Sequence, residues 1–368
     1  MHWTCFLRIL SVQPKNILNN GLNNFLSKRN CTSLMKAVLL KEYGSPDVLK
    51  LDRVPIPNKG NSEVLVRVKA AGINPVDLYM REGAFMSLPP LPTVLGKEVS
   101  GIIEEVGTDV KIFKIGDRVA CCLPRNGGYA EYVTCHEKYL IPLSDKLTFS
   151  QGATLYVAYF VAYRALITTC RIKNNEHLLV HGGSGGVGIA AIQIAKSKGL
   201  KVSATAGTTK GMEMMKAVGA DQVFNHKDKG YLLKMYASTE GKGFDVILEN
   251  CADINLAKDF DVLNVNGRIA VVGTRGQIRQ APDKPKLISV NPRSLIYTEG
   301  KIQGVNLVRM TEEEFNEART SVVNGVEEGW LKPVIGKEYA LNQAPLAHKQ
   351  LLSENIGSRG KIVFNLLL

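Results

Sequence analysis

The chain has 368 residues, 45% of them hydrophobic and 22% charged, with 34 glycines. That length has room for two ordinary domains, and no stretch approaches the roughly 20 uncharged apolar residues that a membrane-spanning helix needs. The formal charge of +12 raises nucleic acid or an anionic cofactor as a partner, and the seven cysteines, at 5, 31, 121, 122, 135, 170 and 251, form no CxxC and no disulfide framework.

The charge is unevenly placed. Residues 1–34 carry Arg8, Lys15, Lys28 and Arg29 and no acid, and the first carboxylate is Glu42. Trp3, Phe6, Leu7 and Leu10 share one helical face, and Leu18, Leu22, Phe25 and Leu26 another. A basic, acid-free, amphipathic start reads as a mitochondrial transit peptide and predicts a matrix protein. The other reading is a leader upstream of a start at Met35, which would leave the protein cytoplasmic. A secretory signal is excluded because Arg8 interrupts the one apolar run.

From Met35 to about Leu155 the sequence is strand-like: "KAVLLKEYG", "LKLDRVPIP", "EVLVRVKAAGI", "SGIIEEVG", "GDRVACCLP" and "AEYVTCH", punctuated by Gly, Pro and Asn. Short strands between turn signals predict a small β-barrel-like domain. At "HLLVHGGSGGVGIAAIQIAKSKGLKVSATAG" the pattern becomes strand, glycine turn, helix, strand, which is a βαβ unit. "QVFNH", "FDVILEN", "GRIAVVGT" and "KIQGVNL" continue the alternation, so a doubly wound parallel sheet of about six strands follows His177. Thr311 and Glu314 form a capping box before another helix. A last helix, "PLAHKQLLSE", and the strand "KIVFNLL" are expected to return to the first domain.

Gly183, Gly185 and Gly188 spell G-x-G-x-x-G between a strand and a helix. There the glycines let backbone N–H groups approach a pyrophosphate, whose charge the helix N-terminus stabilises. Gly182, Ser184 and Gly186 also spell G-x-S-x-G, the nucleophile elbow of α/β-hydrolases, and Asp245 with His348 would complete that triad in order. The barrel-like domain preceding the loop and the helix-packing role of Gly188 favour the dinucleotide reading. An NAD enzyme places Asp or Glu at the end of the second strand, against the ribose 2′-hydroxyl. Here that place reads Ala206, Gly207, Thr208, Thr209, Lys210. A lysine without a carboxylate predicts NADPH, with Lys210 on the 2′-phosphate; the plainer alternative is a solvated lysine at a helix start.

"AAGINPVDLY", "GGYAEY", "YFVAYRAL", "VHGGSGGVG", "VFNH" and "GWLKPVIG" together resemble the zeta-crystallin-like NADPH:quinone oxidoreductases, the zinc-free branch of the medium-chain dehydrogenases/reductases. The resemblance runs from Met35 to Leu368. It implies an α/β protein with a GroES-like catalytic domain from 35–157 and 309–368, a Rossmann NADPH-binding domain over 158–308, and a homodimer or homotetramer. Zinc-dependent relatives carry a Cys and a His where this chain has Asn74 and Lys97, so no metal is expected. Without a Lewis acid, substrates that are already electrophilic fit best: quinones, or activated alkenes such as 2-alkenals, enones and enoyl thioesters.

By position the resemblance makes Asn74, Asp77 and Tyr79 the active-site segment, with Tyr79 beside the nicotinamide as a phenol donor. Read alone, Asn74 caps a turn before Pro75 and Asp77 starts a helix. Implied cofactor contacts are Gly183, Ser184, Gly185, Gly186, Val187 and Gly188 in the loop, then Gly207, Lys210, His226 and Asn255. Val272, Gly273, Thr274 and Arg275 follow the fifth strand, and Val305, Asn306 and Leu307 lie on the sixth. Two departures concern the substrate: the segment after Arg275 is longer than the family pattern, and Phe85 stands where relatives often carry an aromatic hydroxyl. RNA binding, which the family has been linked to, remains a weaker expectation, because the surplus charge lacks interleaved aromatics.

Overall fold

The computed structural model describes residues 33–85, 87–274, 287–352 and 359–368. Residues 1–32, on which the transit-peptide expectation falls, Arg275 and most of the long segment after it therefore lie outside the described residues.

The first part is β. Strands β1 (Leu34–Leu40) and β2 (Leu49–Pro55) precede β3 (Glu63–Ile73), whose span coincides with the sequence run "EVLVRVKAAGI". Helix α1 (Pro75–Glu82) follows directly, then β4 (Thr93–Val94), β5 (Glu98–Val106), β6 (Arg118–Cys122), β7 (Tyr132–His136) and β8 (Leu140–Pro142). β3 is buried along most of its length because β5, β7 and the final strand all bond to it. Cys121, Cys122 and Cys135 pack inside this unit as small apolar side chains.

A helical segment, 156–169, leads into β9 (His177–Val180), in which Leu178, Leu179 and Val180 are fully buried. Both faces of a central parallel strand are covered by helices, which is why the run is apolar without alternation. Then come α2 (Gly186–Ser197), β10 (Lys201–Ala206), α3 (Thr209–Ala217), β11 (Gln222–Asn225), α4 (Tyr231–Ala237) and β12 (Phe244–Glu249). α5 (Ala252–Asp259), β13 (Leu263–Val271), α6 (Pro292–Thr298) and β14 (Lys301–Gly304) complete the sheet. The parallel order β11-β10-β9-β12-β13-β14 reverses direction beside β9, the arrangement that opens a crevice at the strand ends.

Helix α7 (Glu312–Glu328) starts on the expected capping box: Thr311 Oγ1 accepts from Glu314 N–H and Glu314 returns a carboxylate to Thr311 N–H. Beyond it β15 (Ile335–Tyr339), α8 (Ala344–Leu352) and β16 (Lys361–Asn365) return to the β-rich part. β16 pairs with β3, giving a seven-stranded sheet drawn from both ends of the described chain. Among the described residues no helix is long and apolar enough to cross a membrane.

Candidate active site

The turn after β9 is shaped by contacts that leave no room for side chains. A Cβ on Gly188 would stand 2.5 Å from the Gly182 carbonyl oxygen, and one on Gly183 would stand 2.4 Å from Met215 Sδ. Gly182 itself has a φ of 65°, a backbone state that costs glycine little. Gly185 caps α2, so the N–H groups of Gly186, Val187 and Gly188 open the helix at the crevice. This is the geometry that cradles an anion.

The rim of the crevice continues on neighbouring strand ends. A Cβ on Gly207 would fall 2.7 Å from His226 Nε2 and 3.1 Å from Lys227 Cε, so both side chains lean over that glycine. Thr208 caps α3, and Ser184 Oγ faces the helix start, 3.2 Å from where a Gly211 Cβ would be. Lys210, His226 and Lys227 are exposed there. The described rim thus gathers cations and hydroxyls where a ribose phosphate would lie. Lys227 was missed in the sequence because only the β11 turn brings it next to Gly207. Val272, Gly273 and Thr274 follow β13, with Gly273 O accepting from Ala252 N–H at 2.9 Å, while Val305 N–H bonds Val271 O at 2.9 Å. β14 ends at Gly304, so Val305, Asn306 and Leu307 lie just beyond the sixth strand rather than on it, and Asn306 caps the turn beginning at Leu307.

Opposite this rim stands α1. The Tyr79 hydroxyl donates to Thr274 O across the crevice, at 3.2 Å. Tyr79 therefore stands between the barrel and the end of β13. Asn74 and Asp77 do not expose their polar groups there. Asp77 is fully buried and accepts from Asn74 N–H and from the Tyr129 hydroxyl, both at 2.9 Å. Burial pushes its carboxyl up to about 6 against those hydrogen bonds. The Asn74 amide donates to Glu98 Oε1 at 2.9 Å and accepts from Lys361 Nζ. The plainer reading of this pair, as turn and helix start, is what the backbone shows.

Lys361 arrives from β16. Its ammonium sits 2.9 Å from Glu98 Oε1 and bonds Ile73 O at 3.2 Å, while Glu98 Oε2 accepts from Val157 N–H at 2.9 Å. The lysine stem crosses the loop, for a Cβ on Gly186 would meet its Cδ at 2.5 Å. Next to it Gly360 N–H donates to Ser184 O at 2.9 Å and bridges Gly185. One residue pair thus ties the barrel to the glycine loop.

Asn255 lies away from the open rim: it is buried and points at Glu249 Oε1, 3.5 Å away. Nor is a hydrolase triad assembled. Asp245 binds His177 N–H and the Asn264 amide at the opposite end of β12, and His348 contacts Arg81 in the barrel, where burial lowers it to about 3. A separate cavity of about 430 Å³, lined by Phe113, Arg118, Leu143, Leu155, Val322 and Val326, involves none of these residues.

A glycine-loop crevice on a doubly wound sheet, closed by a barrel carrying a tyrosine, defines a two-domain oxidoreductase. Residues 60–145 match the alcohol dehydrogenase GroES-like domain and residues 186–324 the zinc-binding dehydrogenase domain. The rat quinone oxidoreductase is 43% identical over 331 residues, covering 90% of this chain and 97% of that protein. Among solved structures, Escherichia coli quinone oxidoreductase complexed with NADPH superposes with a TM-score of 0.79 at 27% identity, covering 90% of this chain and 99% of that one. An NAD-dependent alcohol dehydrogenase gives a TM-score of 0.80 at 30% identity, over 90% and 100%. The chain belongs to the medium-chain dehydrogenase/reductase superfamily, and it is an oxidoreductase.

The matched family model is named for zinc, but the donors around Asn74 and Lys97 do not fit that ion. Both ends of the Asn74 amide are taken by Glu98 and Lys361, Lys97 Nζ is bound to Pro124 O at 2.8 Å, and an ammonium stands within the cluster. Zinc takes thiolates, imidazoles and carboxylates, and a neighbouring fixed cation opposes it.

Proposed function

We propose that the protein reduces quinones with NADPH and without a metal ion. The observation that carries the cofactor choice is the rim at Gly207, where the His226 and Lys227 side chains lean over the glycine and Lys210, rather than an acid, stands exposed at the start of α3. The relatives named quinone oxidoreductase support the substrate class.

When bound, NADPH supplies the hydride equivalent. The chain's own part is to hold and orient. Backbone N–H groups of the Gly183–Gly188 turn take the pyrophosphate, and the cationic rim takes the 2′-phosphate. Tyr79 then lies beside the reacting end, where its hydroxyl can leave Thr274 O and donate to the oxygen of a quinone as charge develops on it. Lys361, Glu98 and Asn74 set the wall from which α1 projects, with no step of their own. A quinone is electrophilic enough for orientation and one hydrogen-bond donor to serve in place of a Lewis acid.

The proposal includes a homo-oligomer, and an exposed sheet edge supports it. β14 is an exposed edge strand, and Ile296, Tyr297, Ile302 and Val308 stand open around it. Such an edge can take a second copy of the chain. The function is tested by NADPH and NADH oxidation rates with a panel of 1,2- and 1,4-quinones and enones. The reading requires NADPH preference and quinone turnover. Turnover confined to enones, or equal use of both cofactors, would refute it.

A further inference from the structure

Beneath the glycine loop lies a buried ionisable cluster that the proposed reaction does not use. His181 directly follows β9, Glu249 ends β12 and Asp259 ends α5, and each is almost fully buried. Their ligating atoms lie within 4.8 Å of one another. His181 Nε2 stands 3.0 Å from Asp259 Oδ1 and 3.9 Å from Glu249 Oε2. Among the described residues, Glu249 Oε2 and both Asp259 oxygens have no hydrogen-bond donor.

The same side chains stitch together the strand ends that form the crevice. His181 Nδ1 meets Thr205 Oγ1 of β10 at 3.1 Å, and that hydroxyl also lies 3.4 Å from Gly182 N. His181 O accepts from the Asn250 amide at 2.8 Å. Glu249 Oε1 accepts from Cys251 N–H, and Glu249 O accepts from Val272 N–H at 2.8 Å. The His181 side chain thus bears on Gly182 through Thr205, and the Glu249 side chain on the Cys251 N–H.

Two carboxylates and one imidazole packed out of water need their charge balanced. An imidazolium offsets one carboxylate, and a proton on Glu249 Oε2 offsets the second while giving the orphan oxygens a shared hydrogen bond. We propose that Glu249, with His181 and Asp259, is a positioning residue: the three form a proton-sharing lock that fixes the strand ends beneath the dinucleotide and so sets the grip on the cofactor. The proposal rests on the nucleotide reading given above. The titration is consistent with the geometry. Burial pushes Glu249 up to about 8, against the His181 charge and with that of Asp259. Burial pulls His181 down, but contact with Asp259 and the Glu249 charge outweigh it and leave the imidazole above its usual value. The other charged or titratable groups acting on the cluster are Tyr231 of α4 and Lys258 of α5. As pH rises through that of Glu249, the cluster acquires an unbalanced buried charge and must open.

The test is the ratio of the NADPH dissociation constant at pH 9 to that at pH 7, by quenching of protein fluorescence, in the wild type and in Glu249→Gln, whose amide keeps a donor toward Asp259 at every pH. A group ionising near 8 gives at least about a fivefold ratio in the wild type, and less than about twofold in the variant. Equal ratios in the two proteins overturn the proposal. The infrared protonated-carboxyl band of the wild-type protein needs neither the variant nor any cofactor. Its presence at pH 7 and loss by pH 9 support the lock; its absence at pH 7, or a stoichiometric metal in the purified protein, overturns it. Failure of NADPH to bind at any pH, with that band present, would count against the nucleotide reading rather than against the proton.

Discussion

Replacing Lys361 by methionine removes the ammonium and keeps most of the stem that lies over Gly186. Among the described residues Glu98, which is 1% exposed, then retains the Asn74 amide and Val157 N–H as donors, at 2.9 Å each. Breaking a buried pair from one side costs about 3–5 kcal/mol, because the remaining charge stays desolvated. Two neutral donors remain on Glu98, so the lower end of that range, about 3 kcal/mol, is expected for Lys361→Met. Removing the charge from both sides, in Lys361→Met with Glu98→Gln, should recover about 2 kcal/mol of that loss. Urea unfolding of the four proteins of this cycle, followed by near-UV circular dichroism, measures both quantities. A Lys361→Met protein within about 1 kcal/mol of wild type, or a double variant whose loss equals the sum of the singles, would show that the pair is hydrated and the reasoning wrong.

Lys210→Ala and Lys227→Ala each remove one exposed cation from the 2′-phosphate position, worth about 1 kcal/mol apiece at moderate salt. Titration should show NADPH binding weakened about fivefold per variant and NADH unaffected; an equal loss for both cofactors would exclude a phosphate role. Tyr79→Phe should lower kcat about a hundredfold with the KM for NADPH unchanged, measured with a quinone at saturation; full activity would remove the tyrosine as donor. Asp77 binds its proton more tightly folded, about 6 against 3.8 for the unfolded chain, so stability relative to Asp77→Asn should fall by about 3 kcal/mol as pH rises from about 4 to 6 and stay level above that. Parallel unfolding curves for the two proteins across that window would contradict the buried acid.

Local patterns carried most of the architecture. The apolar run of β3, the glycine turn before α2 and the Thr311–Glu314 cap each need only neighbouring residues, and each stands where the sequence places it. The polar interior did not follow, since its partners are distant: Lys361 meets Glu98 across 263 positions and Arg81 meets His348 across 267. For Asn74 and Asp77 family position pointed into the crevice. The capping preference of Asn-Pro, a weaker signal, described their surroundings better. His181 reads as an ordinary residue before a glycine turn, and only folding sets it against Asp259.

The pairing of β16 with β3, Asn365 against Ala70 at its far end, has a consequence for synthesis. The strand that completes the barrel and brings Gly360 to the glycine loop leaves the ribosome after every strand of the parallel sheet. A nascent chain can build the parallel sheet, whose contacts are nearer in sequence, well before the crevice has its second wall. Closure of the site therefore comes after the cofactor sheet has been made, and a chain cut before Gly360 would present the loop without Lys361 or the bridge that holds it.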